Sequence, residues 1–293
     1  MDEHAELRIG IGLPAAVPRV PPGALVEWAA RAERAGFSSV GVIDRLVYDN
    51  HDPFVALSAA AAVTERTTLV TTVINVLWRQ SALALAKQLW SLDRLSGGRL
   101  VAGMGMGGWP DDYAESGTGL AARGERLDAM LRDMQRAWTG EIVGAGGPLP
   151  ALPRGRPTVL LGGGAPQSYE RVARSAQGWV APLFGFDLLL AGVAASNSAW
   201  LRAGRPGRPR ILTGRYFCLG AEADATADEY VRHYYGDQFF DAARADTLTT
   251  DDQLASEVRR VRDAGCDDVV LYPCSADLDQ VDRLASALER VHP

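Results

Sequence analysis

Lysine is almost absent from this chain, and histidine and cysteine are scarce. Lys87 is the only lysine, so arginine supplies the rest of the 30 basic residues. Lys87 falls inside a predicted helix and away from any strand end, which leaves Schiff-base chemistry without an obvious nucleophile. A covalent mechanism through lysine is therefore not expected.

The cysteines and histidines do not form a metal-binding pattern. The three cysteines lack C-x-x-C spacing and are odd in number, which predicts buried thiols. No two of the four histidines are spaced as ligands on one helix face. The residues concerned are Cys218, Cys266, Cys274, His4, His51, His233 and His292. We expect no metal, and any enzymatic reactivity would then come from an organic cofactor.

The chain also lacks basic runs, acidic tails and long apolar stretches. Its net charge is -6, and nothing in the charge pattern favours nucleic acid or anionic lipid, so we expect small-molecule partners. No stretch reaches the roughly 18 apolar residues of a membrane helix. Residues 1–6 are acidic and polar, unlike a signal peptide, so the cytoplasm is the expected compartment.

Glycine is plentiful where it matters most, in residues 92–109, which read LDRLSGGRLVAGMGMGGW. The segment begins as the end of a helix and breaks at Gly97–Gly98. A short apolar run follows, and then glycine dominates from Gly103 to Gly108. The apolar run is typical of a buried parallel strand, and glycines at its far end leave bare backbone beside which a flat ligand could lie.

Strand and helix patterns alternate along the whole chain. Eight strands are predicted, at residues 7–13, 39–43, 68–73, 100–102, 158–161, 178–181, 210–219 and 268–272. Helical periodicity separates them, two helices follow the seventh strand at 223–235 and 251–264, and residues 107–119 form a long polar loop. This order predicts an α/β fold, a (β/α)8 TIM barrel formed as a single domain by residues 1–293, with its chemistry beyond the carboxyl ends of the strands.

The sequence resembles the luciferase-like flavin- and deazaflavin-dependent oxidoreductases. The likeness rests on four segments in order: residues 92–108, residues 123–127 with Trp138 ending their helix, residues 157–179 and residues 250–271. The resemblance implies a barrel that dimerises and uses coenzyme F420 or FMN as a dissociable redox partner. A separate flavin or F420 reductase is a further expected partner.

The resemblance also implies where the cofactor lies. The ring is expected against the first four strand ends, at Leu13, Asp44, Val73, Ile74, Asn75, Gly103, Met104, Gly105 and Met106. Val73–Ile74 falls where many members hold a non-proline cis peptide. The cofactor phosphate is expected at Gly162, Gly163, Gly164, Ala165 and Ser168. Bare amides ahead of the helix begun by Pro166 would make an anion site; three glycines could instead form a flexible turn, but their place before a helix start favours phosphate.

Three residues are catalytic candidates. Asp44 matches the family's acidic residue at the end of strand two, and it could instead be a helix cap. Arg45 stands where many members have histidine, and a salt-bridged arginine is an equally good interpretation. His51, just past strand two, could donate a proton or be structural. Met106 replaces an ionisable residue of two subfamilies, so their proton-transfer chemistry is not expected here.

Aromatic residues are expected at the rim of the barrel mouth, where they could form a wall for substrate: Trp78, Trp109 and Tyr113. The combined prediction is an oxidoreductase that uses reduced F420 for hydride transfer to a small organic substrate. The alternatives are an FMN-dependent monooxygenase, a flavin-binding protein without catalytic activity, and a barrel lyase or isomerase acting on a phosphorylated metabolite.

Overall fold

A computed structural model describes residues 6–152 and 154–291, so His4 and His292 lie outside the described part. The eight strands are β1 (Arg8–Gly12), β2 (Ser39–Val42), β3 (Thr68–Asn75), β4 (Leu100–Gly105), β5 (Thr158–Gly162), β6 (Gly178–Val180), β7 (Arg210–Phe217) and β8 (Asp268–Pro273). They pair in parallel, each with the next, and β8 closes on β1. The predicted (β/α)8 barrel is confirmed.

The helices surround the strands. They are α1 (Ala24–Arg34), α2 (Pro53–Val63), α3 (Ala82–Leu95), α4 (Pro110–Glu115), α5 (Arg123–Trp138), α6 (Pro166–Ser175), α7 (Phe186–Arg202), α8 (Ala223–Ala245), α9 (Asp251–Asp263) and α10 (Asp279–Val291), with a short 3-10 helix at Leu77–Arg79. Local signals set their ends: Asp52 caps α2 ahead of Pro53, and Thr250 and Gln253 form the predicted capping box of α9.

Side chains fill the barrel interior instead of leaving a pore. Tyr272 projects inward from β8, and its hydroxyl lies 2.5 Å from the Thr72 hydroxyl on the opposite side of the barrel. Glycine makes the room for this ring, since a Cβ at Gly41 would lie 2.6 Å from the Tyr272 hydroxyl. The interior is therefore packed below the mouth, and the open space lies at the carboxyl ends of the strands.

The structure corrects two local expectations and extends a third. The loop after β4 contains helix α4, because Pro110 suits a first helical position and Asp112 finds buried partners there. The predicted helix end at residue 235 is confirmed by non-helical backbone at Gly236, where φ is 66°, but a second helical segment follows at once and extends α8 to Ala245. The cis peptide joins Thr72 to Val73, one residue before the expected bond, where the pairing of β3 with β4 shifts register.

Candidate functional site

A cavity of about 500 Å³ opens at the carboxyl ends of β2 to β6 and is covered on one side by α8. Its floor and near wall come from the strand ends: Ile43, Asp44, Thr72, Val73, Asn75, Gly105, Met106, Gly107, Gly108, Gly162 and Gly163. Its outer wall is mainly apolar and aromatic: Trp109, Pro182, Leu183, Phe184, Tyr234 and Tyr235. This volume lies within the range that small-molecule and cofactor sites occupy.

Bare backbone at the end of β4 forms part of the floor. A Cβ at Gly105 would lie 2.9 Å from Val73 Cγ2, and one at Gly107 would lie 2.7 Å from Asn75 Oδ1. Gly107 also has a φ of 76°, which favours glycine. A side chain at either position would therefore push against β3 or into the cavity, so glycine keeps this surface flat and open.

Asp44 supplies the only acidic group that the described residues place in the cavity lining. Its carboxylate accepts a hydrogen bond of 2.9 Å from the backbone N–H of Asn75 and one of 3.3 Å from the Arg79 guanidinium. The side-chain amide of Asn75 donates in turn to the Asp44 backbone carbonyl. Burial raises the pKa of Asp44 to about 7, because desolvation outweighs the opposing effects of Arg79 and the Asn75 amide. Asp44 can therefore hold or release a proton near neutral pH.

Arg45 is placed beside the cavity but does not line it. Its guanidinium donates to Asp112 at 2.8 Å and to Asp111 at 2.9 Å, and it lies 3.9 Å from the ring centroid of Trp109. Asp112 is fully buried and also accepts a hydrogen bond from the Val47 amide. The contacts agree with the salt-bridged interpretation of Arg45, which holds Trp109 in the cavity wall.

Two tyrosines of α8 were missed by the sequence reasoning. Tyr234 and Tyr235 line the cavity just before the helix bends at Gly236, and the Tyr235 hydroxyl lies 2.9 Å from that of Tyr216. Burial raises the pKa of Tyr235, so its hydroxyl stays protonated at neutral pH. Phe184 packs edge-on against Tyr235, with ring centroids 5.3 Å apart. The only sequence signal was the adjacent pair of tyrosines at a predicted helix end.

The glycine run after β5 connects the cavity to the start of α6. Gly162 and Gly163 line the cavity, and Gly163 lies close to Ser168 and receives a hydrogen bond on its carbonyl from the Trp179 indole. Within the described chain no side chain caps α6, which begins at Pro166. Pro166 has no N–H, and the Ser168 N–H donates to the Ala165 carbonyl at 2.8 Å. An anion beside the cavity would therefore meet the amides of Gly164, Ala165 and Gln167. Gly164 and Ala165 are exposed between the two.

The other expected site residues divide by position. His51 is exposed and outside the lining, while Trp78 and Tyr113 are buried behind it, packed edge to face. The Tyr113 hydroxyl donates to the Met106 carbonyl. The remaining four are buried away from the cavity lining: Leu13, Ile74, Gly103 and Met104. Met104 faces the helices because side chains of a strand alternate, and Gly105 next to it faces the mouth.

Two absences hold for the described residues 6–152 and 154–291. No three histidine, cysteine, aspartate or glutamate side chains come together as metal ligands would. None of the helices there combines the length and the apolar character that crossing a membrane requires.

Curated relatives match part of the chain. An uncharacterised protein of Mycobacterium tuberculosis is 33% identical over 172 residues, which cover 55% of this chain and 60% of that protein. An F420-dependent glucose-6-phosphate dehydrogenase of Kribbella flavida is 31% identical over 194 residues, or 60% of this chain and 58% of the relative. The matched region thus spans less than two thirds of these relatives.

Solved structures share the fold over nearly the whole chain. An F420-dependent secondary alcohol dehydrogenase superposes with a TM-score of 0.80 at 16% identity, covering 99% of this chain and 100% of that one. A monooxygenase of Streptomyces bottropensis has a TM-score of 0.78 at 22% identity, covering 98% of each. The family model of luciferase-like monooxygenases matches residues 7–271. With its closed barrel and this match, the chain belongs to the luciferase-like monooxygenase family.

Proposed function

We propose that this protein is an oxidoreductase that binds a reduced deazaflavin, coenzyme F420, in the cavity and uses it on a small organic substrate. The observation that carries the proposal is the continuity of the cavity with the glycine run at Gly162–Gly163 and the uncapped start of α6. One continuous surface thus offers a flat floor for a ring and backbone amides for a phosphate.

The residues present fit such a cofactor. Gly105 and Gly107 leave the floor without side chains, and a Cβ at Gly105 would run into Val73. The aromatic wall on the other side is large and rigid, which suits a planar ring. Gly162–Ala165 would hold the phosphate, because a Cβ at Gly164 would meet no heavy atom within 4 Å, which leaves room beside the amides.

When bound, F420 supplies hydride-transfer chemistry, and FMN supplies oxygen activation. The protein binds, orients and shields the reacting groups. Trp109, Phe184 and Tyr235 exclude water from one side of the cavity. Asp44 accepts or donates a proton at its carboxylate near neutral pH, with Asn75 and Arg79 fixing its orientation.

The choice of F420 is supported by the relatives. Two F420-dependent glucose-6-phosphate dehydrogenases match at 31% and 32% identity, and two solved neighbours are F420-dependent enzymes. A second candidate function, FMN-dependent monooxygenation, is supported by the family model and by a neighbouring Baeyer–Villiger monooxygenase solved with FMN. Both candidates use the same cavity.

Equilibrium titration with F420 and with FMN tests the proposal and separates the candidates. Quenching of tryptophan fluorescence is a suitable readout, because Trp109 lines the cavity. We expect saturable binding of both, with F420 at least about tenfold tighter, a difference of about 1.4 kcal/mol. Tighter binding of FMN would favour the monooxygenase, and binding of neither would refute the proposal.

Turnover then separates an enzyme from a protein that only holds its cofactor. Reduced F420 is incubated without oxygen with a panel of ketones, aldehydes and imines, and its reoxidation is followed by absorbance. We expect at least one acceptor to be reduced. Binding of F420 without reoxidation by any acceptor would contradict the proposed activity while leaving the cofactor site intact.

A further inference from the structure

The cavity lining contains no cationic side chain among the described residues. Asp44 is its only ionisable residue apart from the two tyrosines, and burial leaves that carboxyl half-ionised near neutral pH. A phosphorylated or carboxylated substrate buried here would meet an acid and no counter-charge. Burying an ion without a partner is among the most unfavourable events in binding.

The arginine nearest the aromatic wall is already neutralised. Arg45 pairs with Asp112 at 2.8 Å and with Asp111 at 2.9 Å. The Trp109 ring lies 3.9 Å from this guanidinium and covers it. Arg45 therefore supports Trp109 in the cavity wall, and its charge is not available to a substrate anion.

Two other arginines contact residues of the cavity lining, but their own side chains are not part of it. Arg79 contacts Asp44 at 3.3 Å and Asp52 at 3.4 Å. Arg123 donates to the Gly107 carbonyl at 3.3 Å and does not line the cavity. The amides at the start of α6 can take one anion, and under the proposed function the cofactor phosphate occupies that position.

The wall itself is suited to apolar contact. Together with two apolar residues of the floor, it presents hydrophobic and aromatic side chains from four segments of the chain: Ile43, Met106, Trp109, Leu183, Phe184 and Tyr235. Tyrosine and tryptophan offer large apolar faces with one hydrogen-bonding group each. The Tyr235 hydroxyl, already paired with Tyr216, is the wall's main polar group and can meet one polar atom of a ligand.

On the basis of the proposed function, we infer that the substrate is an uncharged, largely apolar organic molecule with few polar groups, and not a phosphorylated sugar or a carboxylate. This separates the chain from its F420-dependent relatives, whose named substrate, glucose 6-phosphate, carries a phosphate. An uncharged cyclic ketone is a representative probe, because its carbonyl carbon is an electrophile and its ring is apolar.

Calorimetric titration of the cofactor-loaded protein with three probes tests this inference. The probes are an alkyl-substituted cyclohexanone, a cyclohexanone carboxylate of matched size, and glucose 6-phosphate. We expect the uncharged ketone to bind at least about tenfold more tightly than either anion. Equal affinities, a preference for an anion, or no binding of the ketone would each overturn the inference.

A charge-insertion variant shows whether the lining sets this preference. Phe184→Arg places a cation in the half-buried wall, and Phe239→Arg adds the same charge at a residue of α8 that is 43% exposed and outside the cavity. We expect Phe184→Arg to raise the affinity for the carboxylate relative to the ketone about tenfold, and Phe239→Arg to leave the ratio unchanged. An unchanged ratio in both variants, with far-UV circular dichroism like that of the wild type, would contradict the inference.

The inference and the proposed function fail in different ways. If neither F420 nor FMN binds the wild-type protein, the proposed function is wrong and the substrate inference falls with it. If a cofactor binds and the probes show no preference for the uncharged ketone, the proposed function stands and only the substrate class is wrong.

Discussion

The buried carboxyl of Asp44 makes a sharp prediction about stability and pH. Its pKa rises from an ordinary value of 3.8 to about 7 on folding. Between these two values the folded state keeps a proton that the unfolded chain has lost. The unfolded state therefore binds fewer protons, and Asp44 lowers the free energy of unfolding as pH rises through this window.

The size of the effect follows from the width of the window. About three pH units at about 1.36 kcal/mol each correspond to roughly 4 kcal/mol in total. About 2.3 kcal/mol of this falls between pH 5 and pH 7, because the folded-state carboxyl is already half-ionised at pH 7. Above about pH 8 the carboxyl is ionised in both states, and its unfavourable contribution becomes constant.

Asp44→Asn isolates this contribution, because the other titrating groups largely cancel when variant and wild type are compared at each pH. Urea unfolding at pH 5, 6, 7 and 8 should show that the stability of the variant relative to the wild type rises by about 2.3 kcal/mol from pH 5 to pH 7 and by about 0.4 kcal/mol more at pH 8, and then levels off. Asp237→Asn, which removes an acid whose side chain is 88% exposed, is the matched control. A difference between Asp44→Asn and wild type that does not change with pH would refute the reasoning.

Three further predictions concern the cavity and its supports. Gly105→Trp should abolish binding of F420 and FMN while the fold persists. The control Gly146→Trp, at a position with open space, should bind both cofactors normally. Equal affinities of the two variants in a fluorescence titration would show that Gly105 is not part of the cofactor-binding floor. Gly164→Asp should lower the affinity for FMN more than the affinity for riboflavin, which lacks the phosphate, and Gly164→Asn is the uncharged control. Equal losses of affinity for the two ligands in calorimetry would contradict the phosphate position. Arg45→Met and Asp112→Asn should each lower the free energy of unfolding by about 3 kcal/mol, and the double variant should lose clearly less than the sum of the two single losses. Additive losses in urea unfolding would show that the two residues are not coupled.

The fold was predictable because its signals are local and repeated. Apolar runs bounded by glycine mark the strands, and period-3.6 patterns mark the helices between them. Because functional residues of such barrels lie at the carboxyl ends of the strands, Asp44, Gly105 and Gly163 were expected at the same end of the barrel. The structure has all three in the cavity lining. These residues lie at the ends of their strands or within two positions of them, so the barrel alone sets where they are.

The outer wall was not predictable in the same way. Tyr234 and Tyr235 reach the cavity from α8, just before the break in helical geometry at Gly236. The path that this long connection takes over the barrel mouth does not follow from periodicity. The ion pair of Arg45 with Asp112 joins residues 67 positions apart, and it forms because α4 lies within the loop expected to be irregular.

Strand parity explains the misplaced methionine. Met104 was grouped with the glycines that flank it, yet alternate residues of β4 face opposite sides. Gly103 and Gly105 point inward, and Met104 packs against the helices. Strict use of this alternation would have removed Met104 from the expected ring contacts using the sequence alone.

The account rests on one cavity receiving a planar redox cofactor, and a crystal structure of the protein soaked with F420 tests this most directly. We predict electron density for the ring in the cavity beside Val73 and Gly105, with the phosphate at Gly162–Ala165 ahead of α6. Density for the cofactor elsewhere on the protein, with this cavity empty, would contradict the account.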